Sequence, residues 1–279
     1  MTELKREVSI TDTTLRDGLQ SPGIALNAEA RLRLFSVLDC AGFAQIEAGI
    51  PAAGPEEKKL ICRMLQERKH TRVAVWSRMK KEDVLHAADC APDVIHISAP
   101  VSDHLILGVL NTDRAYVRRT LLSCVSLAQE QGFQVSVGFQ DAPRAELSYL
   151  ISLANELKRA GVSHVRLADT VGILTPSMTR RFVRALVENT DMEFGIHAHN
   201  DLGMAAAIAC EAVKTGVKAV DTTLFGIGER AGNCSSYVFC KVAEQAFHVA
   251  PGLSTIRAAM CRAEGILFPF GGKEEWAAV

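Results

Sequence analysis

The chain has 279 residues, 48% of them hydrophobic, and 31 Lys and Arg against 32 Asp and Glu for a formal net charge of −1, enough to fill one large domain or two small ones. Balanced charge without a long basic block or basic-aromatic stripe argues against nucleic acid and anionic membrane surfaces as partners, and no apolar run approaches the ~20 residues that span a bilayer. The opening Met-Thr-Glu-Leu-Lys-Arg-Glu has no apolar leader core, so a cytoplasmic protein acting on small molecules is expected.

Short β-rich runs alternate with amphipathic segments along the chain. The runs are Val8–Asp12, Gln45–Ala48, Arg72–Trp76, Val94–Ser98, Gln134–Gly138, His164–Ala168, Glu193–His197 and Ala219–Thr222. Helical patterns fall between them at Ala28–Ala41, Pro55–Arg68, Arg114–Gln131, Leu147–Ala160, Pro176–Glu188 and Met204–Thr215, several closed by Ala-Gly or Thr-Gly, a left-handed helix stop. Such alternation means βα units and a parallel sheet. Eight units in roughly 250 residues fit a single-domain (β/α)8 TIM barrel over residues 1–250, because an open doubly wound sheet usually has fewer strands and a Gly-rich turn after its first. An eighth helix is expected over Ser235–Val249, and residues 251–279 read as a short, Gly/Pro-interrupted tail. Eight cysteines lie scattered at 40, 62, 90, 124, 210, 234, 240 and 261 without a CxxC pair, so most read as small buried hydrophobes. Cys234 stands apart because it directly follows a Gly-rich loop.

The polar residues gather where the runs end, which in a barrel is the catalytic face. His197 and His199, spaced i, i+2 at the end of an apolar run, point to one side of a strand. With Asp17 and Asn233 from other strand ends they make a ligand set of two imidazoles and two oxygens, suited to a divalent ion that polarises substrate oxygens. Arg16 puts a permanent cation beside Asp17, either to stabilise a developing enolate or alkoxide or to form a salt bridge with Asp12, Asp17 or Glu47. Thr170 offers its hydroxyl to a carboxylate or to a turn. Ser98, Gln140, Gly228 and Glu229 complete the polar set at strand ends, and Asn200-Asp201 either orient the histidines or cap the next helix. His96, His104 and His164 have no evident partner and are read as structural or peripheral.

"DTTLRDG", "HAHNDLG" and "GERAGN", in this order, resemble the DRE-TIM metallolyase superfamily, and the last motif resembles its Claisen-condensing branch of homocitrate and isopropylmalate synthases. "IEAGIPAAGPEE", "HISAPVSD", "VSVGFQDAPRA" and "RLADTVGILTP" are similar to the nitrogenase-associated homocitrate synthases, and the resemblance runs over residues 6–247. It implies a divalent metal (Mg2+, Mn2+ or Zn2+) on Asp17, His197, His199 and Asn233. It also implies acetyl-CoA and a 2-oxo acid as substrates, 2-oxoglutarate to homocitrate first among them. Arg16, Glu47 and Gln140 would form the catalytic set, and Arg16, Thr170, Ser98, Gly228 and Glu229 the substrate-binding set. A base removes a methyl proton from the acetyl group, the enolate attacks the polarised keto carbon, and thioester hydrolysis drives the reaction forward. This chain departs from the pattern at Gln140, where similar synthases carry a glutamate, and at Leu19 in "DGLQ", which resembles the 3-hydroxy-3-methylglutaryl-CoA lyases instead. It also ends before the helical region that in the synthases covers a neighbouring barrel. The expected assembly is a homodimer, with a second chain supplying a lid as the variant. A lyase and a non-catalytic, partner-dependent oxo-acid-binding barrel stand as alternatives.

Overall fold

Eight parallel strands close into a cylinder in the computed structural model, which describes residues 5–269. They are β1 (Glu7–Asp12), β2 (Gln45–Glu47), β3 (Arg72–Arg78), β4 (Val94–Pro100), β5 (Gln134–Gln140), β6 (Val165–Asp169), β7 (Phe194–Ala198) and β8 (Ala219–Thr222). Neighbours follow chain order, and the seam closes where β1 pairs with β2 at Thr11↔Gln45 and Asp12↔Ile46 and with β8 from Ser9↔Ala219 onward. The chain is therefore a single (β/α)8 barrel, as its periodicity predicts. All eight strands lie where the apolar runs are, and several run one or two residues further toward the catalytic face.

The helices of the outer ring are α1 (Ala28–Ala41), α2 (Pro55–Glu67), α3 (Lys81–Ala88), α4 (Asp103–Gly108), α5 (Arg114–Glu130), α6 (Leu147–Arg159), α7 (Pro176–Asn189), α8 (Ala205–Thr215) and α9 (Ser236–Ala243). Their ends are set locally. The Asn27 side chain accepts the Ala30 N–H to start α1, and Gly42, at φ 74°, ends it in the left-handed region. Thr175 caps α7, whose first residue is Pro176.

The segment expected as one helix over Ser235–Val249 is instead divided. α9 stops at Ala243, and His248–Ala250 forms a ninth strand, β9, parallel to the lower half of β1 at Glu7↔His248, Val8↔Val249 and Ser9↔Ala250. The cause is the brevity of β2, which covers only the upper end of β1 and leaves its lower edge open; β9 pairs that edge. Beyond it, α10 (Leu253–Leu267) buries Ile256, Ala259, Ala263 and Leu267 and packs against α1 and α9, so this part of the expected tail belongs to the outer ring. Residues 270–279 of that tail, and residues 1–4, lie outside the described residues. Among the described residues no helix is long and apolar enough to cross a membrane.

Strand alternation sorts the sheet's two faces unusually. Ile10, Ile46, Val75, Ile95, Val137, Leu167, Ile196 and Val220 are fully buried outside the cylinder in the annulus shared with the helices, which is the main hydrophobic core. The interior carries Glu47, His96, Ser136, Arg166, His197 and Asp221, each at most 5% exposed. Barrel interiors are more often filled by branched aliphatic side chains, so a polar interior shows stability given up for chemistry. The cysteines are all free; six are buried or half-buried, whereas Cys40 and Cys261 are exposed on helices.

Candidate active site

At the C-terminal mouth, a cavity of about 270 Å³ is lined by Arg16, Asp17, Ser98, Gln140, Thr170, His197, His199 and Glu229, all expected from the sequence, together with Gln20, Ile50, Trp76, His96, Gly138, Arg166 and Ala168. The β1 loop that delivers Arg16 and Asp17 is held by Asp12, whose two oxygens accept from the Thr14 N–H at 3.0 Å and hydroxyl at 2.9 Å. Thr14 in turn accepts the Leu224 N–H at 2.8 Å, fastening the loop after β1 to the loop after β8. Burial raises the Asp12 carboxyl to about 7 against the Thr14 hydrogen bonds.

Donor atoms of Asp17, His197 and His199 lie within 4.8 Å of one another, all three residues being buried. His197 Nε2 is 3.1 Å from Asp17 Oδ2, and its Nδ1 is 3.1 Å from Asp221 Oδ2, so Asp221 fixes the ring while Nε2 faces the cluster. Asn233 is joined to His199 by an isolated backbone bridge. Its Nδ2 donates to the Ile227 carbonyl at 3.0 Å, which directs Oδ1 elsewhere. Asp17 Oδ2, His199 Nδ1 and Asn233 Oδ1 are buried without a hydrogen-bond partner among the described residues. Buried polar atoms left unmatched are costly, and the convergent donor atoms of Asp17, His197 and His199 fit a divalent cation. A Cβ at Gly228 would stand 2.1 Å from Asn233 Nδ2, so the glycine serves this site by close approach while lying outside the cavity lining.

Arg16, 11% exposed, donates from Nε to Glu47 Oε1 at 2.5 Å, sets Nη1 3.2 Å from Asp17 Oδ1 and lies over Trp76. Glu47 is fully buried, and its other oxygen is 2.9 Å from Arg166 Nη1. Burial disfavours its charge, but the two guanidiniums outweigh burial and hold the carboxyl well below the usual range. Arg166 Nε is 2.5 Å from Asp221 Oδ2, which completes a closed circuit Arg16–Glu47–Arg166–Asp221–His197–Asp17 across five strands. Thr170 takes both of its expected roles' positions at once: its hydroxyl accepts the Asp141 N–H at 2.9 Å and also lines the cavity. Asn200 caps α8 by accepting the Ala205 N–H, and Asp201 pairs with Arg230, which also donates to the Thr170 carbonyl and locks the 226–233 loop to the β6 loop.

Arg166, Asp221 and His96 belong to the site although the sequence reading passed over the first two and set His96 aside as structural. Alternation held the signal. Arg166 is on the parity of Ala168 and Thr170, Asp221 on that of Thr223, and His96 on that of Ser98.

Burial works against a charge on His197, but Asp17 and Asp221 outweigh it and push its pKa up to about 9, whereas burial and the His197 cation bring His199 down to about 3. A metal ion held by His197 would displace its proton. Apparent Mg2+ affinity should therefore rise about tenfold per pH unit from pH 6 and level off near 9, with about one proton released per ion at pH 7. Calorimetry in buffers of different ionisation enthalpy measures both, and a flat profile between pH 6 and 8 would remove His197 from the ligand set.

A parallel (β/α)8 barrel with a carboxylate and two imidazoles converging at its mouth is a barrel whose catalytic face could hold a metal ion. The chain belongs to the HMGL-like family, the DRE-TIM metallolyases, a divalent-metal-dependent group whose sequence model matches residues 7–260. It is 40% identical over 238 residues to the homocitrate synthase subunit alpha of Clostridium pasteurianum, covering 85% of this chain and 88% of that one. With the homocitrate synthase of Frankia alni identity is 42% over 226 residues, covering 81% of this chain and 64% of the other, and with 2-isopropylmalate synthase 2 of Caldanaerobacter subterraneus subsp. tengcongensis it is 35% over 252 residues, covering 90% and 66%. The chain thus spans just under two thirds of the length of the latter two. The HMG-CoA lyase of Bacillus subtilis superposes with a TM-score of 0.84 over 95% of each chain at 18% identity, a likeness of fold. Relatives of this kind make the chain an enzyme of the acyl-transferring synthase type.

Proposed function

We propose that this barrel performs the Claisen condensation of acetyl-CoA with a 2-oxo acid, 2-oxoglutarate giving homocitrate. The observation that carries this reading is the guanidinium of Arg16, fixed by Glu47 at the edge of the Asp17, His197 and His199 cluster. A divalent ion held by those three residues and Asn233 supplies Lewis-acid polarisation of the oxo acid when bound. Arg16 aims fixed positive charge at the oxygen on which charge develops, and Glu47, with both oxygens on arginines, acts as its positioning residue. Thr170 has accepted a backbone N–H and keeps its own proton for the carboxylate of the oxo acid. Ser98 and Glu229 wall the cavity beside it.

Proton removal from the acetyl methyl needs a base, and Gln140, a carboxamide, is not one. We infer that a second polypeptide covers the mouth and supplies that group, a reading supported by the name "subunit alpha" of the Clostridium pasteurianum relative. The test is thiol release from acetyl-CoA across a panel of 2-oxo acids. It is run with the metal-loaded chain alone and with the C-terminal region of the Frankia alni homocitrate synthase supplied as a separate polypeptide. The chain alone should bind 2-oxoglutarate yet turn over slowly; Gln140→Glu should raise the rate, and the added polypeptide should raise it further. Full turnover unmoved by either addition would dispose of the partner, cleavage of hydroxymethylglutaryl-CoA would move the chain to the lyases, and no thiol release under any condition would end the condensation reading.

A further inference from the structure

The N-terminal floor of the barrel holds a second polar cavity, of about 270 Å³, which the condensation does not use. It lies among the first residues of the strands: Arg72 opens β3, Val94 β4, Gln134 β5 and Ala219 β8, and His164 and Glu193 stand just ahead of β6 and β7. Thr11 and Gln45 line it from β1 and β2 at 5% and 8% exposure. Among the described residues neither of these side chains has a hydrogen-bond partner, and those of His164 and Glu193 have none. The Arg72 guanidinium donates to Gln134 Oε1 and to no other group of the protein. The N-terminal face of a barrel ordinarily serves stability, which buried, unmatched polar side chains do not, and several of them on one cavity point to a ligand.

Strand register sorts this lining by chemistry. Thr11 pairs with Gln45 and Gln45 with Arg72, so a hydroxyl, a carboxamide and a guanidinium stand in one row across β1, β2 and β3. The row can donate throughout, and it matches a carboxylate. One residue ahead of the Val165↔Phe194 pair, His164 stands beside Glu193. Burial, assisted by Arg166, brings the imidazole down to about 4, so it is neutral and can accept a hydrogen bond, as can Glu193. This pair matches an ammonium group. β2 and β3 lie four strands from β6 and β7 whichever way the closed sheet is followed, so the donating row and the accepting pair face each other across the barrel. Arg72 and Glu193 both bear on the charge of His164 but form no ion pair with each other, and Lys218, also on the lining, forms none with Glu193. Val94 and Ala219, likewise on opposite strands, supply apolar surface between the polar walls. Opposite charges held apart across a small, partly apolar cavity are the complement of a small zwitterion.

We propose that the floor of the barrel is a second ligand site, taking a free α-amino acid with its carboxylate on Thr11, Gln45 and Arg72 and its ammonium group on Glu193 and His164. Gln45 and His164 stand two residues ahead of Glu47 and Arg166 on their strands, so one layer of side chains separates this site from the catalytic face. The inference is independent of the condensation reading, and its test needs no turnover. Titration calorimetry of the Mg2+-loaded protein is run against the protein amino acids, and then, for the tightest of them, against the amine that lacks its carboxylate and the acid that lacks its ammonium group. Each truncated analogue should bind at least about tenfold more weakly, the low end of what a hydrogen bond to a charged group contributes. Glu193→Gln should weaken the amino acid by a similar factor and leave the acid analogue unchanged, and Arg72→Gln should weaken it while leaving the amine unchanged. Both side chains are exposed, and Mg2+ affinity should stay at the wild-type level in both variants. Amino-acid binding that neither variant moves would overturn the proposal, and so would binding abolished by His199→Ala, which would assign it to the catalytic face. Wild-type protein that binds no amino acid at millimolar concentration would overturn it whatever the variants do.

Discussion

The His199→Ala protein should purify with less than about a tenth of the wild-type divalent metal and lose on the order of 10³-fold in turnover, the several kcal/mol that a Lewis acid contributes. His199 is the cleanest of the proposed ligands to remove, because among the described residues Nδ1 has no hydrogen-bond partner and the ring forms no ion pair. Its loss leaves the Arg16–Glu47–Arg166–Asp221–His197–Asp17 circuit intact, whereas Asp17→Ala would also release Arg16 and His197. Elemental analysis of the two variants beside wild type reads the metal directly, and thermal unfolding of the metal-free forms separates ligand loss from misfolding. Unchanged metal content in His199→Ala would strike His199 from the ligand set.

Barrel architecture was legible because strands buried on both sides of the sheet's closure still alternate with helices whose starts and stops are chemically marked, as at Asn27, Gly42 and Thr175. β9 was hidden for a physical reason: three residues, two of them exposed, give no periodicity, and the strand exists only because short β2 leaves an edge on β1. Within the site, His197, His199, Asp17 and Arg16 announce themselves by spacing or by adjacency in one short loop. Arg166 and Asp221 do not. Asp221 is the one charge in β8 and Arg166 the one charge inside β6 ahead of its terminal Asp169, positions that ordinarily read as errors in the strand assignment, and their meaning appears only when the closed barrel brings them together. Glu47 illustrates the remaining gap: the sequence places it at a strand end, yet its two arginine partners, 31 and 119 residues away, are what hold it ionised and make it a support for Arg16.

Arg16→Lys should lower condensing turnover on the order of 10²-fold, the scale of one oxyanion donor, while metal content stays at the wild-type level. The guanidinium does two things at once: Nε is committed to Glu47, and the outer nitrogens face Asp17 and the cavity. Burial disfavours its charge, but Glu47 and Asp17 more than compensate and raise its pKa, so it is a permanent cation at any working pH. A lysine carries the same charge on one nitrogen at the end of a flexible stem, and that nitrogen can pair with Glu47 or reach the developing oxygen, not both. Steady-state kinetics should show the loss mainly in kcat, because the interaction strengthens only as charge develops. Arg16→Lys should slow every 2-oxo acid alike, because the guanidinium acts on the developing oxygen. Wild-type turnover in Arg16→Lys would reduce Arg16 to a salt bridge with Glu47 and leave the ion to stabilise the enolate unaided.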